Sequence, residues 1–238
     1  MDFTQDVCYQ GLFHLADALQ EEKPAGLSVF GDWPTIYPAL SQLPAPAKES
    51  WFAFDHYYSD AAFDAALPYI FASSPTKLYD VGGNTGKWSL RCCRYDDNVA
   101  VTILDLPQQI ALAQENIEKA GFSHRIGFHA VDMLSPSALP GDADVWWMSQ
   151  FLDCFSPDQI VAMLTRVAEV MKPGARLCIM ELFWDAQKYE AAAFSLNATS
   201  LYFTCMANGN SRFYSVEKFY HYLERAGFSI AQRLDNLG

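Results

Sequence analysis

The segment LYDVGGNTGKWSL, residues 78–90, concentrates the residue types from which a nucleotide-like ligand site is built. An apolar run ends in Asp80 and Val81, passes through Gly82, Gly83, Asn84, Thr85 and Gly86, and continues as a helical pattern from Lys87. Glycines at a strand-to-helix turn let the backbone bend tightly and come close to a bound molecule. The spacing is D-x-G-x-G-x-G with Asn84 at the middle glycine, and asparagine is the side chain that best tolerates a left-handed backbone. It is neither the dinucleotide G-x-G-x-x-G nor a phosphate loop, which would need Gly-Lys-Ser/Thr.

Two more acids follow at the expected distances. Asp105 ends VTILDLP, 25 residues after Asp80, where α/β nucleotide-binding domains place an acid on ribose hydroxyls. Asp132, followed by Met133, ends a third apolar run. Each alone reads equally well as a solvated acid at a strand end. Three acids at three successive strand ends, after a glycine loop, read together as one crevice at the carboxyl edge of a parallel sheet.

The elements that must position these residues alternate. Apolar runs at 78–81, 101–104, 126–131, 144–148 and 176–182 are separated by helical patterns from Lys87, at 108–120 and at 157–171. That alternation implies βαβ units, an α/β fold with a parallel sheet. Helices are also expected at 187–206 and 215–226, and a late strand at 228–234. Before Ser74-Pro75 only helices are expected, at 5–21 and 48–70, with short pieces punctuated by Pro34, Pro38, Pro44 and Pro46. Ser156, Pro157 and Gln159 form a capping box, Ser215 starts a helix in the same way, and Pro173-Gly174 stops one. The domain expectation is a helical region over 1–75 and a ligand-binding catalytic domain over 76–238.

Composition narrows the function. The chain has 238 residues, 51% hydrophobic and 18% charged, with a net charge of −12. That field repels a phosphate backbone, so no nucleic-acid partner is expected. No apolar run reaches the length of a membrane span, no membrane partner is expected, and the start is not a signal peptide. The six cysteines show no C-x-x-C pair and no matching histidine spacing. No metal site is therefore expected, and reduced thiols in a cytoplasm are the simplest reading. Aromatics at 15% suit an aromatic-lined pocket as well as a core.

At these residues the chain resembles a family. VGGNTG, Asp105-Leu106-Pro107, Val131-Asp132-Met133 and MKPGARLCIMEL together look like the S-adenosylmethionine-dependent O-methyltransferases of the caffeate/hydroxyindole type. The resemblance implies a Rossmann-like class I methyltransferase sheet with helices on both faces, preceded by a helical dimerisation and linker region. It implies that loop 82–86, with Gly82, Gly83, Asn84 and Gly86, wraps the methionine part of S-adenosylmethionine at the end of the Asp80 strand. Asp105 would hold the ribose hydroxyls, Leu106 and Met133 would pack on adenine, and Asp132 would accept from its amine. The family's cofactor-contacting Lys falls on Ser149.

The departures fall at the chemistry. The family's catalytic His falls on Asp153, and its neighbours on Cys154 and Phe155. Glu181, 28 residues on, matches an acid flanking that His, while a second flanking acid falls on Ser211. One reading makes Asp153 the base, its pKa raised by a dry pocket and by Glu181 nearby. A second needs no strong base, because alignment of an easily ionised oxygen carries the reaction. In a third, Asp153 only caps the turn before Ser156. His56, in WFAFDHYYSD, is the substitute base, or a packed core histidine. Against the family, most of an N-terminal winged-helix part and a last antiparallel strand are missing, so the chain is expected to be truncated at both ends. That would leave the strand at 228–234 as an exposed edge.

The function expected is metal-independent methyl transfer from S-adenosylmethionine to a hydroxyl of a small aromatic substrate, in a cytoplasmic protein, with a homodimer formed through the N-terminal helices. Two rivals stay open: a non-methylating chemistry on the same cofactor domain, and a degenerate binding subunit.

Overall fold

The computed structural model describes residues 1–237. Its chain folds into two compact units. The first is made of Met1–Tyr57, Leu152–Ile160 and Glu181–Arg225, the second of Tyr58–Phe151, Val161–Met180 and the residues from Ala226 on.

The second unit holds the sheet. Its elements alternate as β1 (Lys77–Val81), α3 (Lys87–Tyr95), β2 (Ala100–Asp105), α4 (Pro107–Ala120), β3 (Ile126–Ala130), β4 (Val145–Ser149), most of α5 (Pro157–Val170) and β5 (Arg176–Met180). All pairings are parallel, in the order β3-β2-β1-β4-β5. The order turns back at β1, which pairs with β2 on one side and β4 on the other. In such sheets ligands bind beyond the carboxyl ends of the strands at that reversal.

Burial explains why β1 reads as a continuous apolar run. Leu78, Tyr79 and Val81 are all within 1% of full burial, so both sheet faces are covered here. One face, with Leu78, Val101, Ile103, Val145 and Trp147, shares a core with Phe63, Leu67 and Ile70 of α2 (Ala45–Phe71), with Trp88 of α3 and with Ile117 of α4. The helix ends follow the local chemistry. Pro107 opens α4 and Gly121, at φ +78°, closes it.

The first unit is helical. Its core joins Phe3, Val7, Leu27, Ile36 and Leu40 from the N-terminal stretch to Leu196, Tyr202, Phe203 and Met206 of α6 (Glu190–Tyr202) and the turn that follows it. Ser156 N donates to Gln159 Oε1 at 2.9 Å and Gln159 N to Ser156 Oγ at 3.4 Å, forming the capping box expected at α5. Lys218 N donates to Ser215 Oγ at 3.4 Å ahead of α7 (Val216–Arg225).

Three expectations need correction. The helix expected over 5–21 is three pieces: a π turn at Thr4–Cys8, a 3-10 turn at Gly11–His14, and α1 at Leu15–Glu21. A Cβ on Gly11 would lie 2.0 Å from Met206 Sδ and 2.8 Å from Gly26 O, so close packing sets the winding there and overrides the periodicity. The helix expected over 187–206 ends as α6 at Tyr202 and widens into a π turn at Phe203–Ala207. Residues 228–234 form no strand. Their alternation is that of a strand, yet they join no ladder and nearly all are exposed, so β5 is the sheet's edge among the described residues.

Candidate functional site

The glycine loop follows directly from β1. Gly82 donates its N–H to Leu104 O at 2.9 Å and lies at φ +71°. A Cβ there would meet the Phe151 ring at 2.3 Å, so both the conformation and the space demand glycine. On Gly83 a Cβ would press on Ile103 Cγ2 at 2.8 Å and Asp80 Oδ2 at 2.9 Å. Asn84 sits at φ +50°, the left-handed conformation for which it was singled out, and Gly86 at φ +80° precedes α3.

Asp105, at the tip of β2, ties this loop in place. One carboxylate oxygen accepts from Asn84 N at 2.9 Å, the other from Leu106 N at 2.7 Å. Burial pushes its pKa up to about 6 against the pull of those two N–H groups. Asp80 is 2% exposed and accepts from Ser89 Oγ at 2.6 Å. Burial raises its pKa to about 7; the Ser89 bond lowers it and the Asp105 charge raises it further.

Asp132 stands one residue beyond Val131, exposed, with Oδ1 accepting from Leu134 N at 2.8 Å, and Met133 beside it is buried. Ser149 ends β4, and its Oγ is buried with no hydrogen-bond partner. The second unit thus gathers, at the carboxyl ends of β1 to β4, a close-fitting glycine loop, three carboxylates and an unsatisfied hydroxyl. S-Adenosylmethionine presents ribose hydroxyls and an adenine amine as donors, and a sulfonium cation. The carboxylates accept from such donors, and the negative field suits the cation. The residues present fit this cofactor.

The remaining candidates lie in the first unit. Asp153 occupies a 3-10 turn, Leu152–Cys154, and is 5% exposed. Burial holds its pKa well above the usual carboxylate range, a hydrogen bond from Cys154 Sγ at 3.4 Å opposes this, and the Asp55 charge adds to it. A like charge acting on Asp153 is that of Asp55, one residue before His56. Glu181 Oε1 accepts from Leu152 N at 2.8 Å, fixing the start of the turn. The His56 ring stacks on Phe52, centroids 6.4 Å apart.

Around Asp153 the structure adds groups that spacing did not reveal. Cys154 shares a hydrogen bond with Tyr37, and its thiol is held well above its ordinary pKa by burial and then by the Asp153 charge, so it stays protonated. Tyr37 and Tyr202 are likewise raised, first by burial. Trp51 Nε1 donates to Tyr202 Oη at 2.6 Å. Tyr37, Trp51 and Tyr202 lie 116, 102 and 49 positions from Asp153, with no local pattern to mark them. Among the described residues no group of three or more His, Cys, Asp or Glu is placed to hold a metal ion, and no helix is long and apolar enough to cross a membrane.

Comparison with known proteins agrees on family. A family model described as "O-methyltransferase domain" matches residues 13–229. The chain is 28% identical over 225 residues to the N,N-dimethyltransferase OxyT of Streptomyces rimosus, covering 94% of this chain and 63% of that protein. It is 31% identical over 128 residues to the 3-hydroxy-5-methyl-1-naphthoate 3-O-methyltransferase of Streptomyces sahachiroi, covering 52% of this chain and 37% of that protein. The chain thus spans less than two thirds of the length of these curated relatives. Among solved structures, PigF with SAH matches at a TM-score of 0.81 and 20% identity, over 96% of this chain and 67% of that chain, a likeness of fold.

Proposed function

The chain belongs to the O-methyltransferase domain family, and from that membership we propose that it moves the methyl group of S-adenosylmethionine to a hydroxyl of a small aromatic molecule, without a metal. The observation that carries the cofactor half is Asp105, whose two oxygens join the glycine loop to the tip of β2. Bound there, the cofactor supplies an electrophilic methyl on a sulfonium. Asp105 would accept from the ribose hydroxyls while keeping its backbone bonds, because each oxygen has a second lone pair. Leu106 and Met133 would flank adenine, Asp132 would accept from its amine, loop 82–86 would hold the methionine part, and Ser149 Oγ would gain a partner.

Asp153 would take the acceptor's proton. An ordinary aspartate is too weak a base for a phenol, but burial and the Asp55 charge bring Asp153 closer to it. The naphthoate methyltransferase among the relatives supports an aromatic hydroxyl as acceptor. A second reading keeps the cofactor and changes the acceptor. Asp153 stands where the family pattern has a histidine, and one relative, matched over 94% of this chain, is an N,N-dimethyltransferase. A neutral aromatic amine carries its own lone pair and makes smaller demands on the base.

The same proposal includes residues 1–75 as a helical region ahead of a cofactor-binding catalytic domain over 76–238, a cytoplasmic setting, which suits free cysteines, and a homodimer through the N-terminal helices. Exposed Tyr9, Phe13 and Leu19 near the start of the chain support the dimer. The test is formation of S-adenosylhomocysteine with catechol, caffeate, hydroxynaphthoates and aniline, with and without EDTA. Turnover of a phenol, unchanged by chelator, is expected. Turnover of aniline alone would favour the amine reading. Cofactor binding with no product from any acceptor would leave the non-methylating or degenerate reading.

A further inference from the structure

The turn that carries Asp153 is tied down more completely than a cap on α5 requires. Three side chains from distant parts of the first unit each bond to its backbone. Glu181 Oε1 accepts from Leu152 N at 2.8 Å. Asn208 Nδ2 donates to Cys154 O at 2.6 Å. Tyr214 Oη donates to Phe155 O at 2.5 Å. Leu152 O accepts from Phe155 N at 3.2 Å, and Ser156 is occupied with Gln159. The peptide groups on both sides of Asp153 are thereby held by partners 29 to 59 residues away.

Asn208 is itself braced. Its Oδ1 accepts from Asn210 N at 3.0 Å and from Ser211 N at 3.1 Å, and its Nδ2 lies 2.8 Å from Ser211 Oγ. Ser211 is 2% exposed and Tyr214 is 3% exposed, so water does not substitute for these partners at no cost. Ser211 is also where the family pattern carries an acid that supports its histidine. With no histidine to support, the same stretch of chain here grips the backbone of the turn instead.

We propose that Asn208 and Tyr214 are positioning residues for the methyl transfer, acting through the turn 152–155 to hold the Asp153 carboxylate where it meets the acceptor's proton. This rests on the reading of Asp153 as the base. Proton transfer requires heavy atoms at hydrogen-bond separation, and a misplacement of 1 Å costs on the order of a hundredfold in rate. Freeing one clamp lets the turn shift by such an amount while the acceptor and cofactor still bind.

The experiment is a double-mutant cycle on the full chain with saturating S-adenosylmethionine and the phenol of the panel that is turned over fastest. Tyr214→Phe, which removes one hydroxyl, and Asn208→Ala should each lower kcat by roughly ten- to a hundredfold, with KM for both substrates within about twofold. In the Asp153→Asn background the same two changes should cost almost nothing further, because the group they position has gone. A full and additive loss in that background would mark them as structural and overturn the proposal. So would wild-type kcat in Tyr214→Phe when Asp153→Asn is impaired, with the base assignment standing. Wild-type kcat in Asp153→Asn itself would overturn the base assignment, and this inference with it. Should Asn208→Ala fail to fold, Tyr214→Phe carries the cycle alone.

Discussion

The loop at residues 82–86 and the turn at residues 152–155 each present a carboxylate chemistry, and they are made in opposite ways. The loop is shaped by backbone: left-handed Gly82, Asn84 and Gly86, and a space at Gly82 that no Cβ could enter. Its left-handed residues lie within a few positions of each other, with Asp105 one strand further on and the Phe151 ring closing the space at Gly82. The turn is shaped by side chains from elsewhere. Glu181, Asn208 and Tyr214 reach it from three points of the chain, and burial, with the Asp55 charge added, holds the Asp153 carboxyl above the usual carboxylate range. A site shaped by backbone announces itself in residue spacing. A site assembled from remote side chains does not, even where its central residue is recognised.

This contrast predicts separable defects. The largest is at the turn. Asp153→Asn is nearly isosteric and cannot accept a proton, so turnover should fall by about 10²–10⁴ while calorimetry shows unchanged S-adenosylmethionine affinity. The wild-type rate should also rise with pH along a limb displaced above the ordinary carboxylate range, since only the ionised form is a base and burial holds its pKa up. Loss of cofactor affinity in Asp153→Asn would break the comparison.

The loop should show the converse. Asp105→Ala removes the acceptor of Asn84 N and of Leu106 N, and S-adenosylmethionine affinity should drop by about 1.5–3 kcal/mol, the range for hydrogen bonds to a charged group. Turnover at saturating cofactor should be nearly retained. Wild-type affinity in the calorimeter would remove Asp105 from the cofactor site.

A separate effect concerns stability. Burial pushes the pKa of Asp80 up to about 7 and that of Asp105 up to about 6, above the ordinary carboxylate value near 3.8. The folded chain therefore keeps protons that the unfolded chain has released, and stability falls as pH rises from about 4 to about 7. The slope is at most about 1.4 kcal/mol per pH unit for each group. Asp80→Asn retains an acceptor for Ser89 Oγ and should flatten part of that slope in urea melts of the cofactor-free protein. An unchanged slope would mean that Asp80 is already solvated.

The same contrast governs what could be read from residues alone. The five strands, the helices between them, the capping box at Ser156 and the left-handed Asn84 all follow from local pattern, because each is decided by neighbours within a few positions. The broken winding at Gly11 is decided by Met206 and Gly26, and these are far away in sequence. The absence of a strand at 228–234 is a matter of pairing, which alternation alone does not supply. That Glu181 accepts from the backbone of the turn depends on a hydrogen bond that residue type does not specify.

β5 pairs with β4 on one side only, and all five of its residues are partly exposed. Its outer N–H and C=O groups form a template on which another extended chain can lie. For a purified sample this makes shelf life a question of crowding. Two free edges must meet before growth begins, so loss of dispersed material on standing should climb faster than in proportion to concentration. Dilution, or a lysine placed on that edge, should then slow the loss.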